Sequence, residues 1–184
     1  MFLKSLLRDP RSVGAVAPSS PRLSRLVASS VNADSATILE VGAGTGAITG
    51  ALLERGIDPR RIFIIERDPQ LVDYLRGRFP RVRIRCGDAI YAGAILREER
   101  VGNINTLLSS LPIRNFKPKD QIALMHAMLR TLEPGGQLVQ YTYGPNCPIP
   151  ARPLGLKAEC LGRVWMNLPP AAVWRFTRER KCGT

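Results

Sequence analysis

Residues 37–46, Thr-Ile-Leu-Glu-Val-Gly-Ala-Gly-Thr-Gly, constrain the fold more than any other part of this chain. The segment begins as a β-branched and apolar run and continues with three glycines that alternate with small residues. Such runs form buried strands of parallel sheets, and glycines after a strand let a ligand approach the main chain. Helical spacing resumes at residues 48–54. The glycines therefore lie between a strand and a helix N-terminus, as in nucleotide-type cofactor sites of open α/β sheets.

Two cofactor classes fit this loop, because residues 42–47 also match the loose dinucleotide pattern. Three details favour S-adenosylmethionine over NAD. Glu40 stands just before the first glycine, where its carboxylate can reach a methionine amino group. Gly46 is a third alternating glycine that a pyrophosphate loop does not need. Asp88 closes the third predicted strand, where it can accept a hydrogen bond from adenine. Glu66 ends the second strand and suits ribose hydroxyls in either class.

These motifs resemble those of the class I S-adenosylmethionine-dependent methyltransferases. The resemblance rests on the glycine loop, on Glu66, on residues 86–89 (Cys-Gly-Asp-Ala) and on residues 132–136 (Leu-Glu-Pro-Gly-Gly), which in that family join a helix to the fifth strand. The cofactor-binding residues predicted here are Ser19, Ser20, Glu40, Gly42, Ala43, Gly44, Glu66, Asp88, Ala89 and Ser109.

Alternating strand and helix patterns predict a doubly wound, mostly parallel, seven-stranded Rossmann-like sheet of the α/β class. Later strands are predicted at residues 61–66, 103–109 and 136–143, and helices at residues 69–79 and 120–132. The runs 157–165 and 172–177 have no helix between them and predict a closing antiparallel hairpin. We expect residues 1–30 to form a helical membrane-association and cofactor-lid segment, and residues 31–184 the methyltransferase domain.

Composition limits the partners. The 184 residues carry a formal net charge of +12, which indicates a polyanionic partner, either nucleic acid or an anionic membrane surface. No apolar run is long enough to span a bilayer, and no secretory signal pattern opens the chain. The four cysteines form no CxxC pair, and the single histidine, His126, completes no common zinc spacing. We therefore expect reduced thiols, no metal site, a structural or exposed His126 and a cytoplasmic location.

The first residues are basic and amphipathic. Lys4 and Arg8 stand beside an apolar helical face, and Arg11 follows. Such a segment can lie in a membrane interface with its basic side chains toward lipid phosphates, or it can pack on the domain. The small residues 12–20 either close over the cofactor, with Ser19 and Ser20 donating to its carboxylate, or simply connect.

Residues 109–115, Ser-Ser-Leu-Pro-Ile-Arg-Asn, follow the fourth predicted strand, where methyltransferases hold the acceptor. Enzymes that methylate adenine amines carry Asn-Pro-Pro-Tyr or Asn-Leu-Pro-aromatic there, and the aromatic ring stacks on the base. Here Ser110 replaces the asparagine and Ile113 replaces the aromatic residue. A base therefore has no obvious stacking platform. Residues 167–170 (Asn-Leu-Pro-Pro) look like the adenine motif but follow the sixth strand.

Tyr141, Tyr143, Trp165 and Trp174 concentrate aromatic rings in the last third of the chain. They either pack in the core or form part of a cage for an ammonium group, each good contact contributing about 0.5–2 kcal/mol.

Nearly the whole chain resembles the bacterial phospholipid N-methyltransferases, which convert phosphatidylethanolamine to phosphatidylcholine. The resemblance rests on residues 7–20, the glycine loop, residues 110–112, residues 140–145 and residues 162–171. It implies a peripheral enzyme at the inner face of the membrane, with an N-terminal helix that senses anionic lipid. The candidate catalytic residues are Ser110 and Asn167, which with the Leu111 carbonyl would orient the amine, and Tyr143. Tyr143 is one of three possible acceptors of the amine proton, beside water and the lipid phosphate. The candidate substrate-binding residues are Arg114, for the lipid phosphate, Tyr141 and Trp165.

Other functions remain open. A more distant resemblance to the ribosomal RNA adenine dimethylases keeps an RNA adenine methyltransferase as an alternative. A non-catalytic lipid- or RNA-binding module is disfavoured by the intact Glu40, Glu66 and Asp88. An NAD-dependent oxidoreductase is disfavoured by the loop details and by the absence of a substrate domain. DNA is not expected as a partner.

Overall fold

The computed structural model describes residues 20–32, 36–167 and 169–179. Their strands form one seven-stranded sheet in the order β3-β2-β1-β4-β5-β7-β6. The strands are β1 (Thr37–Val41), β2 (Ile62–Glu66), β3 (Arg83–Cys86), β4 (Ile104–Ser109), β5 (Leu132–Tyr143), β6 (Leu156–Val164) and β7 (Ala171–Arg178). The first five run parallel, and β7 pairs antiparallel with both β5 and β6. The predicted fold class and closing hairpin are confirmed.

Five α-helices cover the two faces of this sheet in the described part of the chain. They are α1 (Pro21–Ser29), α2 (Ala47–Glu54), α3 (Pro69–Arg78), α4 (Ala92–Glu98) and α5 (Pro118–Leu129). Local chemistry sets where α3 starts, since the Asp68 side chain accepts a hydrogen bond from the Gln70 N–H (2.8 Å) and Pro69 occupies the first turn. Ser20 caps α1 in the same way by accepting from the Leu23 N–H (3.3 Å).

Alternate residues of the central strands face two apolar clusters. Ile62 and Ile64 of β2 pack toward α1, α2 and α3, whereas Phe63 and Ile65 pack toward α4 and α5. All four side chains are buried, as expected for a parallel strand covered by helices on both faces. The methionines Met125 and Met128 of α5 belong to the second cluster, as predicted.

Strand β5 begins earlier than the sequence predicts. The predicted start was residue 136, with residues 132–136 as a connection, but Leu132 already pairs with Ile104 of β4. The register then shifts, and Thr106 pairs with Gln137. Gly135 adopts a φ of 84° within this irregularity. The motif is therefore a bulge inside the strand, where a proline and two glycines are tolerated.

Within the described residues, no helix combines the length and the apolar character that crossing a bilayer requires.

Candidate active site

The glycine loop follows β1 at the carboxyl edge of the parallel strands. Its glycines at positions 42, 44 and 46 all have positive φ angles, between 58° and 75°. A Cβ on Gly42 would lie only 2.7 Å from Cδ2 of Leu111, so this glycine lets the loop close against the segment after β4. A Cβ on Gly44 would meet no atom of the described residues within 4 Å. The loop therefore presents open surface at Gly44, where a ligand can approach the main chain.

Glu66 is held by backbone groups at the end of β2. Its Oε2 accepts a hydrogen bond from the Gly44 N–H (2.9 Å), and its Oε1 accepts from the N–H groups of Arg67 (2.8 Å) and Asp68 (3.1 Å). Because a carboxylate oxygen can accept two hydrogen bonds, Oε2 retains capacity for a ligand hydroxyl. The carboxylate is thus fixed beside the open position of the loop and suits a ribose.

Glu40 lies fully buried one strand away. Its Oε2 accepts a hydrogen bond from the Thr49 hydroxyl (2.6 Å), whereas its Oε1 has no partner among the described residues. Burial raises the pKa of this carboxyl to about 7, with the Thr49 hydrogen bond opposing the rise and the charge of Glu66 adding to it. A buried carboxylate oxygen without a partner is a group that a ligand ammonium would stabilise.

Asp88 follows β3 and caps the short 3-10 helix Ala89–Tyr91. Its Oδ1 accepts a hydrogen bond from the Ile90 N–H (3.1 Å), and its Oδ2 lies 3.6 Å from Nη1 of Arg67. This ion pair is exposed to solvent and contributes little stability. The Ala89 side chain is buried, and Ile90 and Tyr91 stand exposed beside Asp88. The sequence does not predict Ile90 and Tyr91 as candidate site residues, because only the folded structure shows them exposed next to Asp88.

The segment after β4 touches the glycine loop directly. The Ser110 N–H donates to the Val41 carbonyl (3.1 Å), and the buried Ser109 hydroxyl accepts from the Leu111 N–H (3.4 Å). Among the described residues the Ser110 hydroxyl has no hydrogen-bond partner. It is therefore free to orient an acceptor.

The Leu111 carbonyl is expected to orient the amine, but in the structure its hydrogen bonds are made within the protein. It accepts hydrogen bonds from the Ile113 N–H (2.8 Å) and from Nε2 of Gln140 (3.0 Å). Both lone pairs of a carbonyl oxygen are then in use. The buried Gln140 side chain thus ties β5 to the segment after β4, a role that no local pattern in the sequence indicates.

Tyr141 and Tyr143 form an edge-to-face pair near the end of β5, with ring centroids 5.9 Å apart. Partial burial raises the pKa of Tyr143 to about 12, and the neighbouring Tyr141 adds to the rise. Arg114 lies next to this end of the strand, since a Cβ on Gly144 would be 3.3 Å from its Nη1. Its guanidinium forms no ion pair or hydrogen bond with the described residues. Tyr141 is buried in the first core cluster, whereas Tyr143 is only partly buried, so Tyr143 is the accessible ring at the strand end where Arg114 lies.

The remaining predicted residues lie at the β6–β7 turn and before α1. The Asn167 amide donates to the Pro169 carbonyl (2.8 Å) and is buried, so it shapes the turn. Trp165 is 68% exposed, outside any enclosed cage. Ser20 caps α1, and Ser19 lies outside the described residues, as do Lys4 and the other basic residues of the N-terminal segment.

Comparison with known proteins decides the family. The family described as a methyltransferase domain matches residues 38–136, which span the glycine loop, Glu66 and Asp88. The chain belongs to the class I S-adenosylmethionine-dependent methyltransferases. The predicted enzyme class is confirmed.

Two kinds of relative share sequence with this methyltransferase. An ornithine lipid N-methyltransferase of Singulisphaera acidiphila is 30% identical over 149 residues, which cover 79% of this chain and 78% of that protein. A ribosomal RNA small subunit methyltransferase A of Chelativorans sp. is 36% identical over 83 residues, but these cover only 43% of this chain and 29% of that protein. The lipid enzyme thus matches over most of its length and the RNA enzyme over a part.

Solved structures share the fold of this methyltransferase. A TehB-like methyltransferase of Corynebacterium glutamicum superposes with a TM-score of 0.59 at 21% identity, covering 96% of both chains. The magnesium protoporphyrin IX methyltransferase of Synechocystis superposes with a TM-score of 0.66 at 11% identity, covering 97% of this chain and 88% of the other.

The cofactor of the methyltransferase is S-adenosylmethionine, as predicted. The residues present fit it in three ways: the unpartnered Glu40 oxygen can receive its ammonium, Glu66 can receive its ribose hydroxyls, and the space at Gly44 admits it against the backbone. Each of these features is a property of the protein alone.

Proposed function

We propose that this methyltransferase N-methylates phosphatidylethanolamine and its methylated intermediates at a membrane surface, toward phosphatidylcholine. The observation that carries the proposal is the free Arg114 guanidinium next to Gly144, at the end of the strand that carries the Tyr141–Tyr143 pair. A phospholipid headgroup contains an amine and a phosphate a few bonds apart. Ring faces attract an ammonium, and a guanidinium matches a phosphate with two hydrogen bonds. The identity to a lipid N-methyltransferase over most of both chains also supports a lipid acceptor.

The amine would lie between Ser110 and the tyrosines. Ser110 reaches the cofactor loop through its bond to the Val41 carbonyl, so a group bound by its hydroxyl lies close to the loop. Tyr143 keeps its phenol proton at neutral pH, because its pKa is raised to about 12. It therefore positions the amine through its ring and its neutral oxygen, and it does not act as a phenolate base. Asn167 would act by fixing the turn that faces this end of β5.

The chemistry follows from holding two groups in line. When bound, S-adenosylmethionine supplies an electrophilic methyl group on its sulfonium. The amine attacks only in its unprotonated form, so the residues around it must hold the neutral amine with its lone pair directed at the loop. Alignment of this kind can supply a large part of a rate enhancement. As methyl groups accumulate, the product becomes a fixed cation that the ring faces still accommodate.

Arg114→Gln tests the phosphate contact. We expect the variant to raise the KM for phosphatidylethanolamine vesicles by about tenfold, in keeping with a lost charge-assisted hydrogen bond, and to leave cofactor affinity unchanged. Arg130→Gln is the matched control, because it removes an equal charge from the exposed C-terminal end of α5, away from the carboxyl edge. Labelled cofactor and extracted lipid give the readout. An unchanged KM would remove Arg114 from the substrate site.

An RNA adenine N6-methyltransferase is the second candidate, favoured by the net charge of +12 and by the partial identity to a ribosomal RNA enzyme. Ile113, at the position where an aromatic ring would stack on the base, is buried in the core and offers no platform. We therefore expect label in phosphatidylethanolamine and none in ribosomal RNA in a parallel assay. Label in RNA adenines with unlabelled lipid would favour the RNA enzyme.

A further inference from the structure

The tip of the β6–β7 hairpin exposes two large apolar side chains next to each other. Trp165 is 68% exposed and Met166 is 86% exposed, the highest values among the large apolar side chains of the described residues. Neither packs against the two core clusters. Adjacent apolar side chains that remain in solvent gain free energy when another surface removes them from water.

The turn that carries them is held by hydrogen bonds. The Asn167 N–H donates to the Val164 carbonyl (3.3 Å), its side-chain amide donates to the Pro169 carbonyl (2.8 Å), and the Gly144 N–H donates to the Pro170 carbonyl (2.8 Å). These bonds join the turn to the end of β5. Trp165 and Met166 therefore lie on a turn whose backbone is held in place by hydrogen bonds.

Positive charge surrounds the tip. Nη1 of Arg22, in the first turn of α1, lies 3.8 Å from the sulfur of Met166, and the exposed Arg163 precedes Trp165 by two residues. Neither arginine forms an ion pair with any described residue. Residues 20–32 and 161–172 contain no aspartate or glutamate. Exposed apolar side chains beside two arginines that no described acidic group neutralises match the interface of an anionic bilayer, where tryptophan lies at the headgroup level and arginine meets phosphate.

The tip lies at the same edge of the sheet as the acceptor residues. Val164 and Tyr143 both pair with Ala171, so the turn extends past the carboxyl end of β5. We propose that the hairpin-tip surface, formed by Arg22, Arg163, Trp165 and Met166, inserts into the headgroup region of anionic phospholipid membranes and turns the acceptor end of the site toward the bilayer. The orientation for catalysis rests on the proposed function, whereas the docking itself does not.

Tryptophan fluorescence tests the insertion without cofactor or turnover. The sequence has two tryptophans, and Trp174→Phe leaves Trp165 as the only one. The buried indole nitrogen of Trp174 has no hydrogen-bond partner in the part of the chain that the structure describes, so phenylalanine removes no hydrogen bond seen there. With vesicles of equal parts phosphatidylglycerol and phosphatidylcholine, we expect the Trp165 emission to shift to the blue and to be quenched by brominated acyl chains. Vesicles of phosphatidylcholine alone should give a much smaller effect.

Co-sedimentation with the same vesicles tests the energetics in the full chain. Trp165→Ser with Met166→Ser should weaken partitioning about tenfold or more, and Arg22→Gln with Arg163→Gln should weaken it and reduce its salt dependence. Tyr74→Ser is the matched control, because it removes a half-exposed ring from α3, which packs near β2 and β3 at the other end of the sheet.

Three results would overturn the proposal. The first is sedimentation with vesicles while the Trp165 emission stays unshifted, and the second is a Trp165 and Met166 double variant that partitions as strongly as the wild-type chain. The third is an emission shift with ribosomal RNA but not with vesicles. Failure of the proposed function looks different. Insertion of Trp165 without methyl transfer to lipid would leave the docking intact and reject the phospholipid acceptor.

Discussion

At the scale of single residues, two carboxylates one strand apart have opposite surroundings. Within the described residues, Glu66 accepts three backbone hydrogen bonds, whereas fully buried Glu40 has one hydrogen bond and one oxygen without a partner. Sequence position alone describes both as an acidic residue at a strand end. The difference follows from what covers each side chain, with α2 enclosing Glu40 through Thr49. Glu40 is therefore the carboxylate whose ionisation depends most on a bound ligand.

Glu40 should make the stability of the ligand-free protein depend on pH. Because its folded pKa of about 7 exceeds the ordinary glutamate pKa of 4.5, the folded state holds a proton that the unfolded state releases in this window. Stability therefore falls as pH rises from about 4.5 to about 7, by about 3 kcal/mol in total, and this contribution is flat above that range. Denaturant unfolding at several pH values measures the effect.

Glu40→Gln should remove that slope, while Glu54→Gln, at the exposed end of α2, should keep it. Cofactor binding to the wild-type chain near pH 6 should release a proton, since the ligand ammonium favours the ionised carboxylate. Calorimetry in buffers of different ionisation enthalpy detects this release. Binding without proton release would show that the ligand ammonium does not contact the Glu40 carboxylate.

Tyr143→Ala should reduce phospholipid turnover by roughly 2- to 30-fold, the range expected for one cation–π contact, with little change in cofactor affinity. Tyr143→Phe keeps the ring and should retain most of the activity if the ring face carries the interaction. Steady-state kinetics with labelled cofactor compares the two variants. A larger loss in the phenylalanine variant than in the alanine variant would contradict a role for the ring.

At the scale of elements, the alternating glycines of the loop have two different roles. Gly42 lets the loop close against the segment after β4, whereas Gly44 leaves open space for a ligand. Gly44→Ala should weaken cofactor binding at least tenfold, because its Cβ would enter the open space and strain a left-handed backbone position with a φ of 58°. Gly56→Ala is the matched control, since Gly56 also has a positive φ and open space but lies after α2, away from the loop. Calorimetry and thermal unfolding should show a similar loss of stability in both and a loss of affinity in the first alone.

The elements also show what the sequence could and could not predict. Apolar runs followed by glycine or an acidic residue identify β1 and β2 and their carboxyl ends, because a buried parallel strand needs both faces apolar. The sequence does not predict the early start of β5, because residues 134–136 carry turn chemistry and only pairing with β4 keeps them in the strand. The contact of Gln140 with the Leu111 carbonyl joins residues 29 positions apart, so no periodic pattern in the sequence predicts it.

At the scale of the whole molecule, the net charge of +12 implies binding that depends on ionic strength. Lys4, Arg8 and Arg11 lie outside the described residues, and their part in membrane binding stays a prediction. Replacing all three with glutamate should reduce the salt-sensitive part of binding to anionic vesicles, beyond the share that Arg22 and Arg163 contribute, and leave cofactor affinity unchanged. Vesicle co-sedimentation at low and high salt measures this. Equal binding of the wild-type chain to neutral and anionic vesicles would argue against an electrostatic contribution.

The place of β7 in the sheet has a consequence for biosynthesis. β7 is the last strand along the described chain, yet it lies between β5 and β6 and pairs with β5 over seven residue pairs. While residues 171–178 are still inside the ribosome, the nascent chain can already pair its first five strands, and β5 then has an edge of unpaired backbone N–H and C=O groups. Open edges of this kind recruit other chains. Translational stalling before Ala171 should therefore yield a species that aggregates, although the strands that carry the cofactor site are already complete.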